Sequence, residues 1–84
     1  MTKRLPADPE AMNDDRAAWA AAALAEFQRI TGTEDGDALG DLLCDLMHWC
    51  DRNDCQFDAA LSRAQTHYEA ETTPLPAIES TTFE

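Results

Sequence analysis

Positive charge is what this chain has least of. Six of its 84 residues are Lys or Arg, against 17 Asp and Glu, which leaves a net charge of −11. A field of that sign repels a phosphate backbone, so direct binding of DNA or RNA is not expected. Long apolar runs are also missing, since no stretch approaches the ~18 residues that span a bilayer. Behind Lys3 and Arg4 stand Leu5, Pro6, Ala7, Asp8 and Pro9 instead of an apolar segment, so export is not expected either. Three cysteines, an odd number, fit reduced thiols in a cytoplasm. There is no Cys-x-x-Cys pair, no His-x-x-x-His pair, no glycine-rich anion loop and no internal repeat.

What is present indicates one small helical domain. The hydrophobic fraction of 44% is that of a globular protein. Much of it is alanine, which forms helices better than it builds cores. A chain of this length buries about 60–65% of the surface its unfolded form exposes, so a thin core and help from a partner or a second copy are expected. The acidity is uneven. Residues 1–33 hold four bases and five acids, whereas residues 34–84 hold twelve acids against Arg52 and Arg63.

Residues 1–12 carry two prolines without periodicity and are expected to form an arm, followed by a three-helix domain over 13–72 and an extended tail over 73–84. Asn13 is the expected cap of the first helix, with Asp14 and Asp15 in its first turn and Asp8-Pro9 as an earlier alternative start. Trp19, Ala20, Ala23, Leu24, Phe27 and Ile30 recur on one face, and Gly32 is the expected left-handed stop. A second helix is predicted over 37–52. Leu39, Leu42, Leu43, Leu46, Met47, Trp49 and Cys50 fall in one broad arc of it. Gly40 lies at the edge of that arc, where another helix could approach closely. Asp54 is the expected cap of a third helix with Phe57, Ala60, Leu61, Ala64 and Tyr68 in line. The expected fold is all-α: a tight hairpin of the second and third helices with the first packed across it. Leu75, Ile78 and Phe83 are the apolar residues of the tail.

Few residues suggest chemistry. Cys44 and His48 are four apart on a helix and could reach one metal ion, but Cys50 lies about 160° from His48 on the same wheel. A zinc site, or a Cys–His nucleophile and base, is therefore not expected, and neither is any cofactor. Helical nucleotide pyrophosphatases bind magnesium through Glu-x-x-Glu on one helix and Glu-x-x-Asp on the next. Here Asp51-x-x-Asp54 straddles a helix end and no Glu-x-x-Glu exists, so that chemistry is not expected despite the run Leu39-Gly40-Asp41-Leu42-Leu43.

The acidic residues themselves are the stronger signal. Asp37, Asp41 and Asp45 recur every four residues, each about 6 Å further along the helix. With Asp51 and Asp54 they lie opposite the leucines. A solvated, solubilising face accounts for such a row, and so does imitation of a nucleic-acid backbone toward a basic protein groove. Trp49 and Tyr68 are candidate anchors of such a contact.

The run from Thr31 to Asn53, with Leu46-Met47-His48-Trp49-Cys50-Asp51 at its centre, and the segments 57–61 and 67–71 resemble short uncharacterised proteins encoded by bacteriophages, plasmids and integrated elements of proteobacteria. The resemblance covers residues 31–72. It implies a mobile-element setting, in which small acidic proteins often inhibit host defence or regulate the element. The expected function is thus a non-enzymatic interaction protein of the bacterial cytoplasm, of the kind that inhibits a defence complex such as CRISPR interference. Its expected partner is a basic, nucleic-acid-binding protein surface. A structural or regulatory homo-oligomer, a homodimer in its simplest form, is the alternative.

Overall fold

The computed structural model describes residues 4–75, and the tail residues Ile78 and Phe83 lie outside them. Three helices follow one another: α1 (Asn13–Thr31), α2 (Asp35–Arg52) and α3 (Phe57–Thr72), with no strand among the described residues. The chain adopts the expected all-α, three-helix class.

Helix α1 rests on propensity more than on burial. Seven of residues 17–25 are alanine, the strongest helix former, and no residue of α1 is buried. Its start is held from a distance. Asn13 is not the cap, because it already lies inside the helix and the cap position is Met12. The Asp8 carboxylate accepts instead from the backbone N–H groups of Met12 (3.1 Å) and Asn13 (3.2 Å). A turn through Pro9 and Glu10 brings it there, with Ala11 in the left-handed region at φ 57°. Asp8 thereby satisfies donors that a helix start leaves free. Gly32 ends α1 as expected, at φ 75°, its N–H donating to the Gln28 carbonyl at 2.7 Å.

Residues 32–34 turn the chain into α2, which starts two residues before the expected position. Gln28 Nε2 ties the two helices, donating to Asp35 Oδ1 (2.7 Å) and to the Thr33 carbonyl (3.2 Å). At the other end the Cys55 N–H donates to the Cys50 carbonyl at 3.1 Å, a bond spanning five residues, with Asp54 left-handed at φ 58°. That is a Schellman stop built on aspartate where glycine is usual. Asp54 therefore belongs to the end of α2 and does not cap α3, whose cap position is Gln56.

The end of α3 returns to the start of α1. Asn13 Nδ2 donates to the Glu71 carbonyl at 2.9 Å, and Arg16 Nε lies 3.4 Å from the Glu71 carboxylate. At 1.5 Å per residue the helices are roughly 24–28 Å long. In an up-down-up bundle, or in a tight α2–α3 hairpin, the end of α3 would lie about one helix length from Asn13. The observed contact requires α3 to diverge from α2 and close the third side of an open triangle. The packing is thus looser than the expected hairpin with α1 across it, and α1 packs against α2 more extensively than α3 does.

An open frame buries little. Among the described residues only Ala38 (4% exposed) and Cys50 (7%) are buried, one near each end of α2. Leu24, Phe27, Leu42 and Phe57 are half-buried. Trp19, Ile30, Leu39, Leu43, Leu46, Met47, Leu61 and Tyr68 remain largely exposed. Among the described residues nothing lies within 4 Å of where a Cβ on Gly40 would stand, so neither α1 nor α3 uses the gap it leaves.

Candidate partner-binding surface

Helix α2 carries the two most distinct surfaces of the molecule, and its length and register separate them. At about 100° per residue, Asp37, Asp41, Asp45, Cys44, His48, Asp51 and Arg52 share one side. Leu39, Leu42, Leu43, Leu46, Met47, Trp49 and Cys50 share the other. Asp37, Asp41 and Asp45 are all exposed. Three ion pairs form among the described residues: Arg16 with Glu10, Arg16 with Glu71, and Arg29 with Glu26. None involves an acid of α2. Arg52, the one base of this helix, donates to the His48 carbonyl at 3.1 Å instead of meeting a carboxylate. The acidic row is therefore uncompensated.

The other predicted contact residues are less closely grouped. Asp51 is exposed on the last turn of α2, and Asp54 is exposed beyond it in the left-handed stop. Trp49, 54% exposed, lies at the boundary between the acidic and apolar sides. Its carbonyl accepts from Asn53 Nδ2 at 2.8 Å, which helps fix the end of the helix. Tyr68 is exposed but belongs elsewhere. It lines a groove with Ala17 and Ala20 of α1, at the corner where α3 meets the start of α1.

Cys44 and His48 are exposed on the polar side of α2. Among the described residues no third His, Cys, Asp or Glu converges with them as a metal site would require. Cys50 faces the other way and is buried, and its burial pushes the thiol up, with Cys55 and Asp51 nearby adding to the shift.

One site was not anticipated. Residues of the arm, α1 and α3 enclose a groove of about 460 Å³, with Leu5, Pro6, Ala17, Ala20 and Tyr68 as its apolar lining and Asp8, Asn13, Arg16 and Glu71 around it. Arg16 organises its polar edge. Its guanidinium pairs with Glu10 at 2.8 Å and donates to Asn13 Oδ1 at 2.7 Å. Hydrogen bonding to Glu10, then the charge of Glu71, holds it more firmly protonated than usual. No local pattern announces this groove, because it depends on the meeting of residues 58 positions apart.

No helix among the described residues is long and apolar enough to cross a membrane. No protein-family model, curated protein or solved structure matches this chain.

Proposed function

We propose that this chain is a non-enzymatic binding protein that offers the acidic side of α2 to a basic protein surface. The observation that carries this reading is the uncompensated row Asp37, Asp41 and Asp45, exposed along one uninterrupted helix with no cation paired to it among the described residues. Carboxylates about 6 Å apart along a rigid axis resemble the charge spacing of a nucleic-acid strand. A Lys- and Arg-rich groove that receives nucleic acid would accept such a row. Trp49, at the border of the row, supplies an aromatic anchor of the kind that dominates binding energy. Asp51 and Asp54 extend the charge toward the next corner.

The resemblance to proteins of mobile elements gives this chemistry a setting in the cytoplasm of a bacterial host. There the partner would be a nucleic-acid-binding complex of host defence, CRISPR interference being one, and the protein its inhibitor. Competition tests the reading. Immobilised chain is used to capture a basic partner from host lysate, and the captured partner is then offered labelled DNA or RNA. Displacement of the chain by nucleic acid is the expected result. A captured partner that holds both at once, each at its unaltered affinity, would remove the mimicry from the account.

A further inference from the structure

Among the described residues, nothing fully covers the side of α2 turned away from the acids, although Cys50 and Leu42 on that side are buried and half-buried. Leu39, Leu43 and Met47 recur every four residues, flanked by Leu46, and are 60%, 41%, 50% and 39% exposed in that order. No charged side chain interrupts this stripe. Beside it stand Gly36 and Gly40, and at both positions an added Cβ would meet nothing within 4 Å. A helix backbone has room to come close there.

We infer that this stripe is the contact between two copies of the chain, related by a two-fold axis passing near Leu43.

The area fits. Taking ~200 Å² for a fully exposed large aliphatic residue, the four stripe residues leave roughly 400 Å² of surface on α2. A dimer of standard size takes about 800 Å² from each subunit. About 65% of that is apolar in homodimers, roughly 500 Å², of which the stripe supplies the larger part. The shape fits as well. A ridge of residues spaced by four packs into the groove beside the same ridge on a second helix, crossing at about −50°. A two-fold axis presents such a ridge to its own copy without further design.

Charge allows a second copy on this side. The stripe has no charged or hydrogen-bonding side chain by which a different protein could be recognised. The acidic row lies about 160° around the helix from it, so pairing two stripes turns both rows outward. A chain of net charge −11 can then double without bringing its carboxylates together. The open triangle supplies the need, since a fold that buries only Ala38 and Cys50 among its described residues gains most of its missing core from a neighbour.

This inference does not depend on the acidic row binding anything, and salt separates the two. Adding salt screens the repulsion between two acidic copies and strengthens the dimer, whereas it weakens a contact between acids and bases.

The test is light scattering during size exclusion, from low micromolar to millimolar chain, at low and high salt. The expected mass is twice 9.3 kDa, with the dimer persisting to lower concentration in high salt. Thermal midpoints should rise with protein concentration, as mass action requires. Leu43→Glu should elute at the single-chain mass with its helical circular dichroism retained. Should that variant lose its helix signal, Gly40→Gln replaces it. In the single chain Gly40→Gln meets open space and favours the helix, while it blocks a second backbone. A wild-type chain that stays at 9.3 kDa up to millimolar concentration with a constant midpoint overturns the inference. So does a helical Leu43→Glu or Gly40→Gln chain that still dimerises as wild type does.

Discussion

Asn13 and Glu71 meet across 58 positions, the Asn13 side-chain amide donating to the Glu71 carbonyl at 2.9 Å. That bond joins the first residue of α1 to the last turn of α3, where carbonyls have no partner within their own helix. It makes a closed frame of what would otherwise be three helices on two hinges. Asn13 also accepts from Arg16, so one side chain organises both ends.

Asn13→Ala should therefore cost stability although alanine is the better helix former. A net hydrogen bond contributes about 1 kcal/mol, and the gain in helix propensity returns a few tenths. Urea denaturation followed at 222 nm should show a midpoint lowered accordingly, with α3 losing amide-exchange protection at residues 68–72 first. An unchanged midpoint and unchanged exchange would mean that the corner is held by Arg16 and Glu71 alone.

Asp54 offers the opposite sign. A left-handed conformation costs an L-residue about 1–2 kcal/mol, and Asp54 adopts it at φ 58° as the stop of α2. Asp54→Gly should stabilise the chain by about 1 kcal/mol and leave the Cys55-to-Cys50 backbone bond in place. Thermal unfolding at matched chain concentration measures this. A lower midpoint would show that the Asp54 carboxylate holds the turn by a contact absent here.

The three thiols should separate by rate. Only the thiolate alkylates. Cys50 is buried and its ionisation is pushed up, whereas Cys44 and Cys55 are exposed. With a small alkylating reagent near neutral pH, the two exposed thiols should react readily and Cys50 much more slowly. All three should react alike in denaturant. Mass spectrometry of the partly labelled chain reads the order, and fast labelling of Cys50 in the native protein would contradict its burial.

How much of this was legible in the sequence depends on range. The period of the apolar residues and Gly32 placed α1, and the leucine arc placed α2 to within two residues of its start. Cys50, within the same arc, is buried. The caps were harder, because Asp8 reaches its helix around a turn and Asp54 adopts a conformation that side-chain type seldom announces. The triangular closure was not legible at all. Periodicity says which face of a helix is apolar but not whether anything covers it. Leu61 and Tyr68 therefore read as core residues and stand exposed. The acidic row was legible, since it needs only the spacing of Asp37, Asp41 and Asp45 on one uninterrupted helix.

That row gives the last prediction. If Asp37, Asp41 and Asp45 stand in for phosphates, binding to a basic partner should weaken steeply with salt, because the Debye length falls from ~10 Å at 0.1 M to ~3 Å at 1 M. Replacing all three by Asn keeps side-chain size and removes three charges. Like charges four apart cost a helix about 0.2–0.5 kcal/mol per pair, and two such pairs would be relieved. Asp37, in the first turn, gives up a helix-dipole contribution of similar size, about 0.3–1 kcal/mol. Stability should therefore change little, which circular dichroism can verify before binding is measured. Association should slow strongly while dissociation changes less, since complementary charge acts mainly on the encounter. Surface-immobilised partner, assayed across a salt series, gives both rates. Should the triple variant bind with the affinity and salt dependence of the wild type, the row is a solvated face. The contact would then be sought at the groove of Tyr68, Ala17 and Ala20, or along the exposed line of Trp19 and Ile30 on α1.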